Sequence, residues 1–164
     1  MKDTDLLISN RGGCYTVTVS GRANFEYAVP LRDLARSTAE FSAFQLDMKS
    51  CTAMDSTFMG VLTMLAMKGR KCNVTIKIFN ASDILKKLLR DLGIAKLFEF
   101  CDGEISTAES EKAGVRSNML TTAETVEEAH IALADAEPEN VDRFRDVIEF
   151  SHQDVENLKK QQNK

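Results

Sequence analysis

The stretch CTAMDSTFMGVLTMLAMKGRK, Cys51 to Lys71, decides how the rest of the chain is read. It opens with a small polar knot, Asp55-Ser56-Thr57, and runs directly into a dense apolar block. An acid followed by hydroxyls suits the start of a helix, where backbone N–H groups lack partners and the dipole end is positive. Placing residues at about 100° intervals sets Phe58, Val61, Leu62 and Leu65 on one side, expected to bury against a sheet. Gly60, Thr63, Met64 and Met67 fall opposite, with Met59 on the flank. That outer side is either covered by another element or offered to a partner, and methionine adapts its shape cheaply to either use. Lys68-Gly69-Arg70-Lys71 closes the helix with a glycine and three cations, matching its negative end.

Working towards the N-terminus, FQLDMKS places Phe44, Leu46 and Met48 on one face and reads as a strand leading into that helix. Leu6 to Ser9 and Tyr15 to Ser20 read as two earlier strands separated by the turn Asn10-Arg11-Gly12-Gly13, with Gly21 ending the second. NFEYAVPLRDLARSTAEF has helical spacing through Ala28, Leu31, Leu34 and Ala35, with Pro30 best placed in its first turn. Towards the C-terminus, Asn73 to Phe79 alternates as a strand. Ser82 or Asp83 then caps a helix through Ile84, Leu85, Leu88, Leu89 and Leu92, which Gly93 stops. Leu97, Phe98 and Phe100 suggest a last short strand. The order β-β-α-β-α-β-α-β predicts an α/β fold, a mixed sheet with helices packed against it.

The chain turns polar over residues 102–120, expected as a mobile loop. Thr121-Thr122-Ala123-Glu124 fits a capping box, and Val126, Ala129 and Leu133 mark one side of the helix that follows. Pro138 breaks it. These boundaries divide the chain into a domain over 1–136 and a C-terminal helical extension over 137–164. The extension's apolar positions are Val141, Phe144, Ile148, Val155 and Leu158, with Ser151 in the remaining seam slot. Such a seam docks on the domain or pairs two chains as a homodimer.

Composition narrows the function classes. A length of 164 residues suits one domain with a real core. With a net charge of −4 and no basic stripe, nucleic-acid binding has little support. No apolar run approaches the roughly 20 residues that span a bilayer, so direct membrane insertion is not expected. The N-terminus MKDTDLLISN lacks the apolar core of a secretory signal, which points to the cytoplasm. Cys14, Cys51, Cys72 and Cys101 show no paired spacing, so neither a metal site nor a redox motif is favoured, and no cofactor is expected.

MDSTFMGVL, together with the later SDILKKLLRDLGIAKLF, resembles the STAS domain of anti-sigma factor antagonists over about Leu6 to Ala134, with TAETVEEAHIAL as the closing helix. The resemblance implies a partner-switching protein. Its unphosphorylated form would bind an anti-sigma factor that is also a serine kinase, phosphorylation of Ser56 would release it, and a PP2C-type phosphatase would restore the hydroxyl. Phosphate adds about −1.5 to −2 charge beside Asp55 on a surface that must be desolvated, while a helix N-terminus holds it without unfolding the domain. The implied contact residues are Asn24, Asp55, Ser56, Thr57, Phe58 and Met59. Where the family reads Asp-Ser-Ser/Thr-Gly-Leu-Gly, this chain has Phe58 and Met59 at the first glycine and the leucine. Phe58 is expected to alter the surface around Ser56, and Asn24 stands where the family commonly carries an acid.

Two other readings compete. One is a STAS subunit of a membrane transport complex of the lipid ABC type, gripping an ATPase without being phosphorylated. The other is a hydrolase with Ser56 as nucleophile; no G-x-S-x-G elbow surrounds the serine, so a non-enzymatic module is favoured. The only histidines, His130 and His152, lie in the C-terminal helical segments, and His130, beside core position Ala129, is expected to be partly buried or exposed, not catalytic.

Overall fold

The computed structural model describes residues 5–37, 40–107, 109–114 and 118–163. Strands β1 (Asp5–Arg11) and β2 (Cys14–Ala23) form an antiparallel hairpin in which Arg11 faces Cys14. Its two-residue connection, Gly12 at φ 59° and Gly13 at φ 93°, takes the positive dihedrals whose twist matches the flanking strands. Gly21 does not end β2. At φ 78° it sits at a register shift, an irregularity the strand passes through before continuing to Ala23.

Helix α1 (Phe25–Ser37) starts from Asn24, whose Oδ1 accepts the Glu26 N–H at 3.0 Å and whose carbonyl accepts from Tyr27 and Ala28. Pro30 therefore lies inside the helix, not in its first turn as expected. The Asn24 cap fixes the start earlier, and the helix tolerates the one backbone hydrogen bond that proline removes.

The chain continues through β3 (Ala43–Met54), α2 (Ser56–Lys71), β4 (Ile76–Phe79) and α3 (Asp83–Asp91). A 3-10 turn at Ala95–Leu97 precedes β5 (Phe98–Cys101). Among the described residues the sheet order is β5-β4-β3-β2-β1, with the two-residue β6 (Glu111–Lys112) at the far edge beside β1. Strands β2 to β5 run parallel to one another, while β1 and β6 are antiparallel to their neighbours. Register aligns Ile8, Val17, Leu46, Ile78 and Phe100 in one row across the sheet. This is the mixed α/β sheet expected from the element order. The segment expected as a loop over 102–120 carries β6 and the first residues of α4 (Met119–Ala136).

The inner side of α2 behaves as its spacing demands: Phe58, Val61, Leu62 and Leu65 are fully buried in one cluster with Val17, Leu46 and Ile78. Phe58 therefore points into the core and does not shape the surface around Ser56. On the outer side α4 covers Gly60 and Thr63, while Met64 and Met67 stay half-buried beside Ala35 of α1. A Cβ built on Gly60 would lie 2.3 Å from the Ala129 carbonyl oxygen, so the two helices meet where only glycine fits. Thr63 is buried there too, its hydroxyl donating to the Met59 carbonyl at 2.9 Å.

Helix α4 begins before the expected capping box. Asn118 is the cap, its Oδ1 accepting the Thr121 N–H at 2.7 Å, and Glu124 turns instead to the buried Arg32 of α1 at 3.6 Å. Arg32 also donates from Nε to Glu128 at 2.6 Å, which ties α1 to α4. After Pro138 come α5 (Glu139–Arg143) and α6 (Arg145–Gln162). Phe144, Ser151 and Val155 are buried and Ile148 and Leu158 half-buried, so the seam docks on α4. Val141 departs from that seam and is exposed, because α5 is a separate turn. Asn140 is fully buried and donates to the Leu92 and Leu133 carbonyls, each at 2.9 Å, fastening the extension to both α3 and α4.

Candidate functional site

Parallel neighbours β2 and β3 end side by side, Ala23 opposite Met54, and the Asp55 N–H donates to the Ala23 carbonyl at 3.0 Å. Two helices leave from this shared edge, α1 after Asn24 and α2 after Asp55. In an open sheet, such carboxyl ends of parallel strands are where partners and ligands gather. Asp55 holds extended dihedrals (φ −93°, ψ 173°) and caps α2, its Oδ1 accepting the Phe58 N–H at 2.8 Å. Ser56 is thus the first helical residue, at the positive end of a 16-residue helix.

The expected contact residues divide by burial. Asn24, Asp55 and Ser56 are half-buried and together at the strand ends. Thr57, Phe58 and Met59 are 6%, 0% and 5% exposed, so they brace the junction from inside instead of lining its surface.

The Ser56 hydroxyl has a partner that sequence reasoning missed. Its Oγ lies 2.8 Å from His130 Nε2, across 74 residues of chain. The other ring nitrogen, Nδ1, lies 2.7 Å from the Val126 carbonyl. A carbonyl only accepts, so Nδ1 carries the proton, Nε2 is bare, and Ser56 donates to it. His130 is 2% exposed, and the Phe144 ring meets it edge-on with centroids 5.0 Å apart. Burial pushes the imidazole below its ordinary value, against the opposing influence of the Val126 hydrogen bond and the Asp55 charge. His130 is therefore a neutral acceptor near neutral pH. The only sequence signal for this was a histidine beside core residue Ala129, which is compatible with many structural roles.

The model of the family described as "Mlab, STAS domain" matches residues 6–99. The chain belongs to this STAS family. The matched range holds β2, β3 and β4, nearly all of β1, the start of β5, and Asp55 and Ser56; the His130 that meets the serine lies beyond it on α4. Among solved structures, the fold is similar to that of a sulfate transporter family protein from Wolinella succinogenes. That match has 19% identity and a TM-score of 0.51, and covers 62% of this chain and 85% of that one. The anti-sigma factor antagonist SpoIIAA in its unphosphorylated form matches at 10% identity and a TM-score of 0.44, over 65% of this chain and 90% of that one. No curated protein matches the sequence.

Other features of this STAS chain lie away from the strand ends. All four cysteines are free. Among the described residues, no group of three or more His, Cys, Asp or Glu side chains is placed to hold a metal ion. No described helix is long and apolar enough to cross a membrane. A cavity of about 800 Å³ lies between α4 and α6 and is lined by Met119, Val126, Val147, Phe150 and Leu158 among others.

Proposed function

We propose that this STAS domain is a regulatory binding module that works by partner switching. Unphosphorylated, it binds an anti-sigma factor of the serine-kinase type through the edge formed by Asn24, Asp55 and Ser56. Phosphorylation of Ser56 ends the complex, and a PP2C-type phosphatase restores it. The observation that carries this reading is the position of Ser56: half-buried, first in α2, and at the shared ends of two parallel strands. A dianion there falls beside Asp55, repelling a docked surface while the α2 amides accommodate it. The module is read as non-enzymatic. Ser56 and His130 have nucleophile–base spacing, but the ring is sealed beneath Phe144.

One observation favours a second reading. The Ser56 hydroxyl is already engaged inside the protein, which would suit a STAS subunit of a membrane transport complex that is never phosphorylated. Incubation with anti-sigma serine kinases and ATP, followed by mass-spectrometric mapping, separates the two. Partner switching requires modification at Ser56. It also requires Ser56→Asp to weaken kinase binding at least about tenfold, some 1.4 kcal/mol, while Ser56→Ala stays bound and cannot be released by ATP. Equal binding by both variants, with an ABC-type ATPase co-purifying, would establish the scaffold reading instead.

A further inference from the structure

We propose that phosphorylation of Ser56 passes the hydroxyl proton to His130, and that the resulting imidazolium holds the phosphate between α2 and α4. The inference rests on the partner-switching reading and assigns a regulatory part to a residue outside the matched STAS range.

Hydrogen-bond directions carry the argument. In the unmodified protein the chain of donors runs from Ser56 Oγ–H to His130 Nε2, and from His130 Nδ1–H to the Val126 carbonyl. Each group has one role, and every role is filled. A phosphate on Oγ removes the only hydrogen on the serine side and presents oxygens that only accept. If nothing else changed, those oxygens would face the bare lone pair of Nε2, on a ring that is itself buried. A proton on Nε2 turns that repulsion into a hydrogen bond.

The proton is already on the line between the two atoms. When Oγ attacks the terminal phosphorus of a nucleoside triphosphate, the Oγ–P bond forms and the bond from phosphorus to the diphosphate oxygen breaks. The latter's electron pair leaves on the diphosphate. The Oγ–H electron pair stays on Oγ, and the proton moves to Nε2. The products are a phosphoserine dianion, an imidazolium and a nucleoside diphosphate, with no proton lost to solvent.

The surroundings favour that ion pair. Asp55 is the charged group that faces the ring from α2, and its sign supports a cation. Phe144, at the α5–α6 junction, offers the ring only an aromatic edge. On α4 itself the Val126 carbonyl keeps its bond from Nδ1–H in either state. The nearby acids Glu127 and Glu128 are engaged by His152 and Arg32. Among the described groups that face the ring, Asp55 supplies a carboxylate and Phe144 no charge. Through His130 and Phe144, the C-terminal layer comes to depend on the state of Ser56.

The test installs phosphoserine at position 56 by genetic-code expansion, so that it does not depend on finding the kinase. With only two histidines in the chain, ¹⁵N-histidine labelling gives two ring spin systems, and His152→Gln assigns them. At pH 7.5 the unmodified protein should show one bare and one protonated nitrogen on His130. The phosphoserine protein should show both protonated, with the titration midpoint raised by about two pH units or more, a 100-fold change in proton affinity. A neutral His130 ring in the folded phosphoserine protein at pH 7.5 would overturn the inference. As a second measurement, His130→Gln, checked for folding by its amide spectrum, should be phosphorylated about 100-fold more slowly at saturating ATP. An unchanged rate would overturn the proton-acceptor step. A protonated ring combined with a Ser56 that no anti-sigma kinase modifies would fail the functional reading alone. A modified Ser56 with a neutral ring would fail this inference alone.

Discussion

Helix α4 meets α2 on one side and α6 on another, and these two interfaces are built on different terms. Towards α2 it packs through small residues: Gly60 meets the Ala129 backbone, and Thr63 and Thr125 lie buried with their hydroxyls returned to their own helix carbonyls at 2.9 and 2.7 Å. Towards α6 the contact is a seam of side chains, Ser151 and Val155 buried and Ile148 and Leu158 only half-buried, flanked by Phe150 at 69% exposure. Each interface also carries a histidine. His130 is sealed against Ser56, whereas His152 meets Glu127 at 2.9 Å with a side chain 61% exposed. Backbone-to-backbone contact fixes one helix against another within a few tenths of an ångström, which is what placing a neutral acceptor at hydrogen-bond distance requires. A seam of longer side chains holds a helix in place without that precision.

The sharpest way to break the comparison is Gly60→Ala. The added Cβ meets a backbone carbonyl that cannot swing aside, so α4 must shift. A loss of about 3 kcal/mol in denaturant unfolding is expected, the upper range for overpacking. The Ser56–His130 hydrogen bond should be lost with it, visible as a changed His130 ring nitrogen shift. An unchanged midpoint would mean that α2 and α4 are not held as closely as the structure places them. On the other interface, Val155→Ala removes two buried methyl groups and should lower stability by about 2 kcal/mol while leaving the His130 signal in place. If it disturbed that signal as Gly60→Ala does, the two interfaces would be one unit.

Much of the fold was legible because local signals agreed. In SDILKKLLRDLG, Ser82 caps α3 by accepting the Leu85 N–H at 3.2 Å, Leu85 and Leu89 are buried, and Gly93 takes φ 70° after the helix ends. The inner face of α2 followed from helical spacing alone. Boundaries failed where two signals competed. Pro30 suggested a later start for α1 than Asn24 sets, and the Thr121 box suggested a later start for α4 than Asn118 sets. Strand β6 is only two residues long and exists because β1 offers an open edge, so no local pattern announces it. The site was half legible. Asp55 and Ser56 carry the grammar of a cap, but His130 reaches Ser56 only because Gly60 lets α4 approach, and that is a tertiary fact. Burial of Thr57, Phe58 and Met59 is likewise tertiary: with the sheet on one side of α2 and α4 on the other, Ser56 is the one residue of its first turn left half-buried.

The smallest effect separates the two histidines by pH. His130 is buried neutral, with its folded pKa below the ordinary value near 6.5 that it regains on unfolding. Below about pH 6.5 the unfolded chain therefore binds more protons at this site than the folded one. Stability then rises with pH in that window and falls as the solution is acidified. The loss begins near the unfolded value and continues until the folded ring itself protonates. From pH 7.5 to 6 it is at most about 0.8 kcal/mol for one such group, because the unfolded state gains only a fraction of a proton over most of that range. In His130→Gln this part of the pH dependence should disappear, whereas His152→Gln should leave it in place. Paired urea titrations at pH 7.5 and 6 measure the difference directly. Were His152→Gln to flatten the profile and His130→Gln to leave it, the proton-sensitive contact would belong to α6, and Ser56 would be facing a ring that water reaches.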